Sequence, residues 1–277
     1  MLSFKSAHLE QLKKQRRQIF LRKAVFYFVC LVALFFILSL VSKIKGFAIK
    51  DVAVSGASVI STDEIKSAVQ KDISGNYLHL FSKKNIFIYP KNKIERDLRD
   101  NFKRIKNLNV AMGEHSTLDI KLTEQNQEFL WCADAIKCYF LNKDGLIFSE
   151  APFFSGDVYF KFFTTLSSAD AAHPIGAKVF SPETMAGISD LINSLPAIGL
   201  KSISLSSDLP GSFAIALAGA NSPKLLIKEK SDFTKIYNNL SSALNTEPLK
   251  TKIKENYASL KYIDLRFENK VYYKFSQ

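Results

Sequence analysis

Residues 24–42 read AVFYFVCLVALFFILSLVS and include no charged side chain. As an α-helix this run would be about 28 Å long, close to the thickness of the hydrocarbon core of a bilayer. Seven basic residues lie in the 23 residues before the run, whereas only Lys43 and Lys45 follow it closely. Under the positive-inside rule this difference places the N-terminus in the cytoplasm. The sequence therefore predicts a single-pass membrane protein, with a basic cytoplasmic tail (1–23), a transmembrane helix (24–42) and an extracytoplasmic remainder.

Two other interpretations of the basic tail were weighed. A secretory signal peptide also starts with basic residues, but its apolar part is roughly 7 to 15 residues long, and no Ala-x-Ala cleavage pattern follows here. A basic stripe such as residues 13–17 can bind nucleic acid. Beside a membrane span we interpret it as a topology signal that anionic membrane lipid attracts, and we expect no nucleic-acid partner. The basic residues are Lys5, Lys13, Lys14, Arg16, Arg17, Arg22 and Lys23.

The first part of the remainder, residues 43–124, alternates between strand and helix patterns. Apolar residues at 49, 52 and 54 predict a strand that ends at Ser55 and Gly56. Ser61 and Glu64 have the spacing of a capping box at the start of a helix, and a second helix follows Pro90. Two further strands are predicted near 105–112 and 118–123, joined by a turn at 113–116. The order β-α-α-β-β predicts an antiparallel sheet with both helices on one face.

The second part, residues 125–277, is a predicted mixed and mostly antiparallel β domain with two or more helices. The 47% of hydrophobic residues in the chain is enough for a core in each part. The chain ends in two strands, YIDLRF (262–267) and VYYKF (271–275), joined by Glu268, Asn269 and Lys270. The other predicted strands are 129–131, 139–141, 147–148, 158–163, 201–206, 213–217 and 225–228, and the helices are 181–194, capped by Ser181, and 232–244. The predicted fold class is α+β.

The cysteines predict a disulfide. Cys132 and Cys138 are separated by the five residues ADAIK and flanked by strand-like pieces. In an oxidising compartment this arrangement is typical of a disulfide across a β-hairpin. A zinc site would need two more Cys or His in register, but the nearest histidines, His115 and His173, are isolated. Cys30 lies within the transmembrane run.

Motifs of common enzyme classes are missing from the sequence. It has no His-Glu-x-x-His, Gly-x-Ser-x-Gly, phosphate-binding glycine loop or Cys-x-x-Cys. The one Ser-x-x-Lys, Ser42 with Lys45, lies at the membrane exit. We expect a protein without catalytic residues, cofactor or metal, although catalytic groups can also assemble from distant positions.

Three stretches together resemble the FtsQ family of bacterial cell-division proteins, also called DivIB. The first is IKDVAVSGASVISTDEIKSAV (49–69), which is similar to the start of a POTRA domain. The second is LDIKLTEQNQEFLWC (118–132) with CYFLNKDGLIFSEAP (138–152), which is similar to the family's crossing strand and following hairpin. The third is YIDLRFENKVYYKF (262–275), which is similar to its Asp-Leu-Arg-aromatic ending. The order of tail, span and exported domain is also that of the family.

The resemblance implies a POTRA domain over 43–124, an FtsQ-type β domain over 125–277, and a non-enzymatic scaffold of the divisome at the division septum. Its partners would be FtsB-like or DivIC-like and FtsL-like coiled-coil proteins, and septal cell-wall synthases. The last strand would accept a partner strand, as an open sheet edge can. Alternation would turn Tyr272 and Lys274 to one side of that strand. It would turn Val271, Tyr273 and Phe275 to the other.

Two further residues are implied by the matching Asp-Leu-Arg-aromatic ending. Arg266 would pair with an acidic residue of the partner, and Phe267 would bury against the partner. Ordinary core packing for Phe267 and a solvated position for Arg266 remain the alternatives. The POTRA-like part would dock other division proteins through its own edge strand.

Two other classes stay open at this point. A POTRA-bearing component of a membrane export or assembly complex would normally include a long series of transmembrane strands, which this chain is too short to contain. A membrane-anchored extracytoplasmic enzyme would have to assemble its site without a recognisable motif.

Overall fold

The computed structural model describes residues 3–267 and 270–276. Contacts divide the chain into two compact units. The first unit contains the residues up to Phe102 together with Asn107–Thr123, and the second contains Lys103–Lys106 and the residues from Glu124 onwards. Of the linker predicted between the last two strands, Glu268 and Asn269 lie outside the described residues.

The first unit begins with a long helix, α1 (Ser3–Ser42). Within it, Arg16–Ser42 is long and apolar enough to cross a membrane, and an 18-residue stretch of it has a mean hydropathy of 2.9. Its side chains are almost all exposed, as lipid-facing side chains would be. The helix ends at Ser42, where the uncharged run of the sequence ends.

The predicted succession of strand, two helices and two strands follows α1, with one short hairpin added between the helices. A 3₁₀ turn at Lys45–Phe47 leads into it. The elements are β1 (Asp51–Ser55), α2 (Thr62–Ile73), β2 (Asn76–Tyr77), β3 (Phe81–Ser82), α3 (Lys91–Asn101), β4 (Ile105–Met112) and β5 (Thr117–Glu124).

The three-stranded sheet of this unit has the order β1-β5-β4. Strand β1 lies parallel to β5, with Val52 opposite Leu118 and Val54 opposite Ile120. The prediction of an antiparallel sheet is therefore wrong for this pair. A parallel pair needs a long crossover. The segment between β1 and β5 contains two helices, the short hairpin β2–β3 and the strand β4, enough to bring the chain back in the same direction.

One face of this sheet is buried and the other is exposed. Val52, Leu118 and Ile120 are buried, while their neighbours along each strand are not. The buried stripes of α2 and α3 complete the core, and α2 packs against both β1 and α3. Lys93 of α3 also forms ion pairs with Asp72 at the end of α2 and with Asp97.

The start of α2 corrects one prediction. Ser61 is the N-cap residue of α2, but its side chain makes no capping hydrogen bond, so the expected capping box is not formed. The helix end is exposed, and water can satisfy its first N–H groups. Asp63 and Glu64 lie in the first turn, where negative charge is favourable next to the positive end of the helix dipole.

The second unit is built on a nine-stranded sheet of order β14-β13-β12-β11-β10-β9-β6-β7-β8. Five neighbouring pairs are antiparallel and three are parallel, which gives the expected mixed and mostly antiparallel sheet. The strands are β6 (Phe129–Cys132), β7 (Cys138–Leu141), β8 (Ile147–Glu150), β9 (Lys161–Phe163), β10 (Ser202–Leu209), β11 (Ser212–Leu217), β12 (Lys224–Lys228), β13 (Leu260–Phe267) and β14 (Lys270–Phe275).

The helices of this unit are α4 (Ser168–Ala172), α5 (Pro182–Ser194), α6 (Phe233–Leu244) and α7 (Leu249–Asn256). Of these, α5, α6 and α7 pack apolar side chains against one face of the sheet. The cap predicted for α5 is formed, since Ser181 Oγ accepts a hydrogen bond from Thr184 N. Helix α6 is also capped, because the Asp232 side chain accepts bonds from the N–H groups of Thr234 and Lys235. Together with the inner side of the sheet, α5 and α6 enclose the main core.

The predicted disulfide is confirmed. Cys132 and Cys138 stand opposite each other in the β6–β7 hairpin and are bonded, with a Cα–Cα distance of 4.0 Å. Both belong to a second apolar cluster with Leu130, Phe140 and Phe148. These residues alternate with core residues along the strands, so the bond lies on the face of the sheet that α5 and α6 do not cover.

Candidate functional site

The C-terminal strand β14 is an edge of the nine-stranded sheet. Among the residues that the structure describes, β13 is its only partner strand, and the register sets Tyr273 opposite Ile263 and Tyr272 opposite Asp264. An edge strand of this kind points alternate N–H and C=O groups away from its sheet. Those groups are available to another strand.

The opposite edge of the same sheet is different. There the chain's own backbone covers the start of β8, because Ile147 N donates to Ala177 O and Gly176 N donates to Ile147 O. A bridge between Leu146 and Lys178 extends this cover. The margin of β8 is thus covered at its start, whereas among the described residues no strand pairs with the outer margin of β14.

Side chains of β14 divide between the two faces of the sheet. Val271, Tyr273 and Phe275 are half-buried and pack against the main core, whereas Tyr272 and Lys274 are exposed. Helix α6 contacts both β13 and β14 from the inner side. The ring of Tyr273 also lies 5.9 Å from that of Phe275 and 5.7 Å from the Nζ of Lys252. The inner side chains therefore hold the edge strand in place and leave its outer face free.

Arg266 lies against Asp264 on the same strand. Its Nε donates to Asp264 Oδ1 at 2.9 Å, its Nη2 donates to Oδ2 at 2.6 Å, and its backbone N–H donates to Oδ1 at 3.1 Å. The Asp264 residue is only 6% exposed. A guanidinium has five N–H donors, and this pair uses two of them. Arg266 is therefore positioned by an acid of its own chain and keeps donors for a second acceptor.

This pair shifts both pKa values. Burial by itself raises the pKa of Asp264, but the hydrogen bonds and the charge of Arg266 outweigh it, so that the pKa lies below its ordinary value. The hydrogen bonds to Asp264 raise the pKa of Arg266. At neutral pH, Asp264 is therefore deprotonated and Arg266 is protonated, and the two form an ion pair.

Two exposed aromatic residues flank the edge. Phe267 is 50% exposed and Tyr272 is 48% exposed, and their rings meet edge to face with centroids 5.1 Å apart. Leu265, which precedes Arg266, is buried in the core instead. Phe267 therefore belongs to the surface beside the edge and not to the core.

A cleft of about 490 Å³ opens beside Arg266, where the carboxyl ends of the parallel strands β12 and β13 meet the start of α6. Four of its lining residues are cationic, while Asp232 is the acidic one. The lining residues are Lys228, Lys230, Ser231, Asp232, Lys235, Ile236, Asn239, Leu265 and Arg266. We call this the basic cleft. Its charge favours a carboxylate-bearing group.

Sequence reasoning predicted the strand and its two faces but not the basic cleft. The signal was present: Lys228 ends a predicted strand, Lys230 follows it, and Lys235 lies in the first turn of a predicted helix. The local sequence pattern does not predict that β12 pairs in parallel with β13, and this pairing brings the lysines beside Arg266.

In the first unit, β1 is an end strand of the small sheet. Asp51, Ala53 and Ser55 are its exposed side chains. Within the described part of the chain, no group of three or more His, Cys, Asp or Glu residues is arranged to hold a metal ion.

No protein-family model matches this chain. No curated protein matches it significantly either. A functional assignment therefore depends on the sequence resemblance and on the geometry of β14 and its surroundings.

Proposed function

We propose that this chain is a membrane-anchored, non-enzymatic scaffold of the bacterial divisome, of the FtsQ or DivIB type. Helix α1 holds it in the cytoplasmic membrane, with the basic tail inside and the two units outside. At the septum it joins division proteins by β-strand addition. The partners are FtsB-like or DivIC-like and FtsL-like coiled-coil proteins, together with septal cell-wall synthases.

The open margin of β14 carries this proposal. Proteins normally cover, shorten or charge an exposed edge strand, because it would otherwise pair with other chains. This sheet covers the start of β8 with residues 176–179, and among the described residues it places no strand on the outer margin of β14. A partner strand at β14 would gain main-chain hydrogen bonds, and its alternate side chains would supply specificity.

The residues around β14 indicate which side chains a partner strand would need. An apolar side chain of the added strand would cover Phe267 and Tyr272, which lie together and half-exposed. An acidic side chain would reach the remaining donors of Arg266 or the lysines of the basic cleft. The preferred partner segment is therefore an extended strand with an apolar residue and an acidic residue.

The β-α-α-β-β part is proposed to be a POTRA-type docking module. Its element order is the one that the resemblance implies, and β1 gives it an end strand that could pair in the same way. A separate surface for a second class of partner is what a scaffold requires.

Binding measurements on the full-length protein test the proposal. A small membrane-anchored coiled-coil division protein should co-purify with it and be lost when residues 271–275 are deleted. Because that deletion also removes core contacts, Tyr272→Ala and Lys274→Glu are the sharper variants, since both side chains point outward. Each should weaken binding by about tenfold, equivalent to about 1.4 kcal/mol.

The matched control is Ile136→Ala, which removes an exposed apolar side chain from the turn between β6 and β7. It should leave binding unchanged. Undiminished binding by the Tyr272 and Lys274 variants and by the folded deletion variant would show that the partner uses another surface.

A further inference from the structure

The hairpin between α2 and α3 is attached to the transmembrane helix. Ser39 Oγ donates to Leu80 O at 2.9 Å, and Ser82 N donates to Ser42 Oγ at 3.3 Å. Asn85 Nδ2 donates to Ser42 O at 3.1 Å. Ser39, Ser42 and Asn85 are all buried, unlike most of the helix around them. Both serine hydroxyls of the apolar run thus bond to this hairpin, and Ser42 Oγ also donates to Ser39 O of its own helix at 2.8 Å.

An aromatic contact extends the attachment further down the helix. The rings of Phe35 and Phe81 meet edge to face with centroids 4.9 Å apart. Phe35 precedes Ser42 by two helical turns, which correspond to about 10 Å along the axis. The hairpin therefore follows α1 well inside the stretch that has no charge.

The length of the uncharged run fixes the depth of these contacts. Residues 24–42 make about 28 Å of helix, which is hardly more than the hydrocarbon core requires. Lifting Phe35 out of the bilayer would draw Arg22 and Lys23 into it, at the high cost of a charge in hydrocarbon. When α1 spans the membrane, Phe35 and the ring of Phe81 lie at the level of the acyl chains.

The tip of the hairpin is apolar and exposed. Leu78 is 80% exposed and has a positive φ of 48°, an unusual conformation for a leucine. Closer to the helix exit, Phe87 is 75% exposed, and its ring lies tilted against that of the partly exposed Phe47 with centroids 5.8 Å apart. In water these side chains would present an unfavourable apolar surface, whereas lipid would cover them.

The charges nearby match a lipid headgroup layer. Residues 24–50 and 73–94 contain no Asp or Glu. Lys43 and Lys45 follow the helix, and Lys83 and Lys84 follow the hairpin strand β3, with the Nζ of Lys83 lying 5.6 Å from the ring centroid of Tyr77. Lysines and aromatic rings grouped around a helix exit are the usual partners of anionic headgroups and of the membrane interface.

We infer that residues 76–88 form a membrane-embedded hairpin, in which Leu78 and Phe81 insert into the outer leaflet beside α1 and the lysines contact lipid phosphate. Internal bonds satisfy part of the hairpin's backbone, as lipid requires: β2 pairs with β3, Leu80 N donates to Tyr77 O, and Lys83 N donates to Gly75 O. The hairpin thereby fixes the height of the first unit above the bilayer and occupies one side of α1. This inference rests on α1 spanning the membrane but not on partner binding.

Depth-dependent fluorescence quenching tests the inference on the full-length protein. It would be reconstituted in vesicles of phosphatidylethanolamine and phosphatidylglycerol and labelled with an environment-sensitive dye at a single cysteine. Cys132 and Cys138 are bonded, so Cys30 is the native thiol to label. In a Cys30→Ala background, Leu78→Cys places the dye at the hairpin tip.

The Leu78→Cys label should show blue-shifted emission, strong quenching by lipids that carry a quencher in the acyl chain, and loss of quenching by aqueous iodide. Val59→Cys in the same background is the matched control. Val59 is an exposed apolar residue of the same unit beyond β1, and the five residues of β1 separate the two ends of that strand by about 16 Å. Its label should be quenched by iodide and not by lipid.

Two results would overturn the inference, and they are distinguishable. If the Leu78→Cys label behaves like the Val59→Cys label while Cys30 is reached only by lipid-borne quenchers, the anchor holds but the hairpin lies in water. If a label on Cys30 itself is not reached by lipid-borne quenchers, α1 does not span the membrane, and both the anchor and the embedded hairpin are wrong.

Discussion

Arg266 lies next to the open edge strand, and its bonds to Asp264 also stabilise the fold. The Asp264 carboxylate is buried and receives three hydrogen bonds from Arg266. Arg266→Ala removes the two bonds from the side chain and leaves a buried carboxylate short of partners. We expect the free energy of unfolding to fall by about 1–3 kcal/mol, measured by chemical denaturation of the exported part. Asp264→Ala combined with Arg266→Ala should restore part of the loss, and equal losses in the single and double variants would argue against the pair.

The same pair predicts a dependence of stability on pH. Because Arg266 lowers the pKa of Asp264 in the folded protein, the contribution is fully present above the ordinary carboxyl pKa of 3.8. It is lost as the pH falls through the lowered folded value. In Arg266→Ala, burial would raise the pKa of Asp264 instead. The acid-induced loss should then disappear, and the variant should become more stable as the pH falls through the raised value. Unfolding measured between neutral and acidic pH would show the two curves, and superimposable curves would contradict this electrostatic role.

At the residue scale, the sequence predicted how the side chains of VYYKF divide between two faces, because alternation along a strand is sufficient for that. Which face points inward comes from the structure, where Val271, Tyr273 and Phe275 face the core. The bond from Arg266 to Asp264 was not predicted. It depends on the local geometry of β13, where the pairing with β14 is irregular between Asp264 and Phe267, and an irregularity of this kind leaves no periodic signal in the sequence.

Among the elements, the two serine N-caps form a natural comparison. Ser181 caps α5 through its side chain, whereas Ser61 precedes α2 without such a bond. Ser181→Ala should cost about 1 kcal/mol of stability, and Ser61→Ala should cost clearly less. Thermal or chemical unfolding of the two variants measures the difference. A larger effect at Ser61 would mean that its side chain caps the helix in solution.

The β6–β7 hairpin is held by its disulfide. Closing a loop of this length stabilises a protein by about 2 kcal/mol, mainly by restricting the unfolded chain. Cys132→Ala with Cys138→Ala should therefore lower the free energy of unfolding by about that amount. Cys30→Ala, in the span, is the control and should have no effect on the exported part. Partner binding at β14 should survive, because β6 and β7 lie at the other end of the sheet.

Elements with a strong periodic pattern were predicted well, and short ones were not. The amphipathic helices α5 and α6 and the alternating strands β5 and β11 to β13 lie where their apolar spacing places them. The hairpin β2–β3 and the helices α4 and α7 were missed because each is too short for a clear period. Residues 158–160 were predicted to be strand, but β9 begins only at Lys161. The parallel pairing of β1 with β5 is a long-range choice that local pattern does not encode.

At the scale of the whole molecule, the proposed function depends on orientation across the membrane. The basic tail and the apolar run predict that both folded units are exported. Replacing the seven basic residues of the tail by neutral ones should give molecules in both orientations, because the charge difference across the span is then lost. Reporter fusions at the C-terminus, active only on one side of the membrane, would measure this. An unchanged topology would show that another feature sets the orientation.

The most direct measurement for strand addition is amide hydrogen exchange of β14 in the full-length protein, with and without a coiled-coil division partner. Amides that already bond to β13 are protected in both states, whereas the outward amides of residues 271–275 exchange readily in the free protein. Strand addition predicts that the partner slows exchange at alternate residues of β14. A partner that binds while these outward amides keep exchanging at their free rate would contradict it.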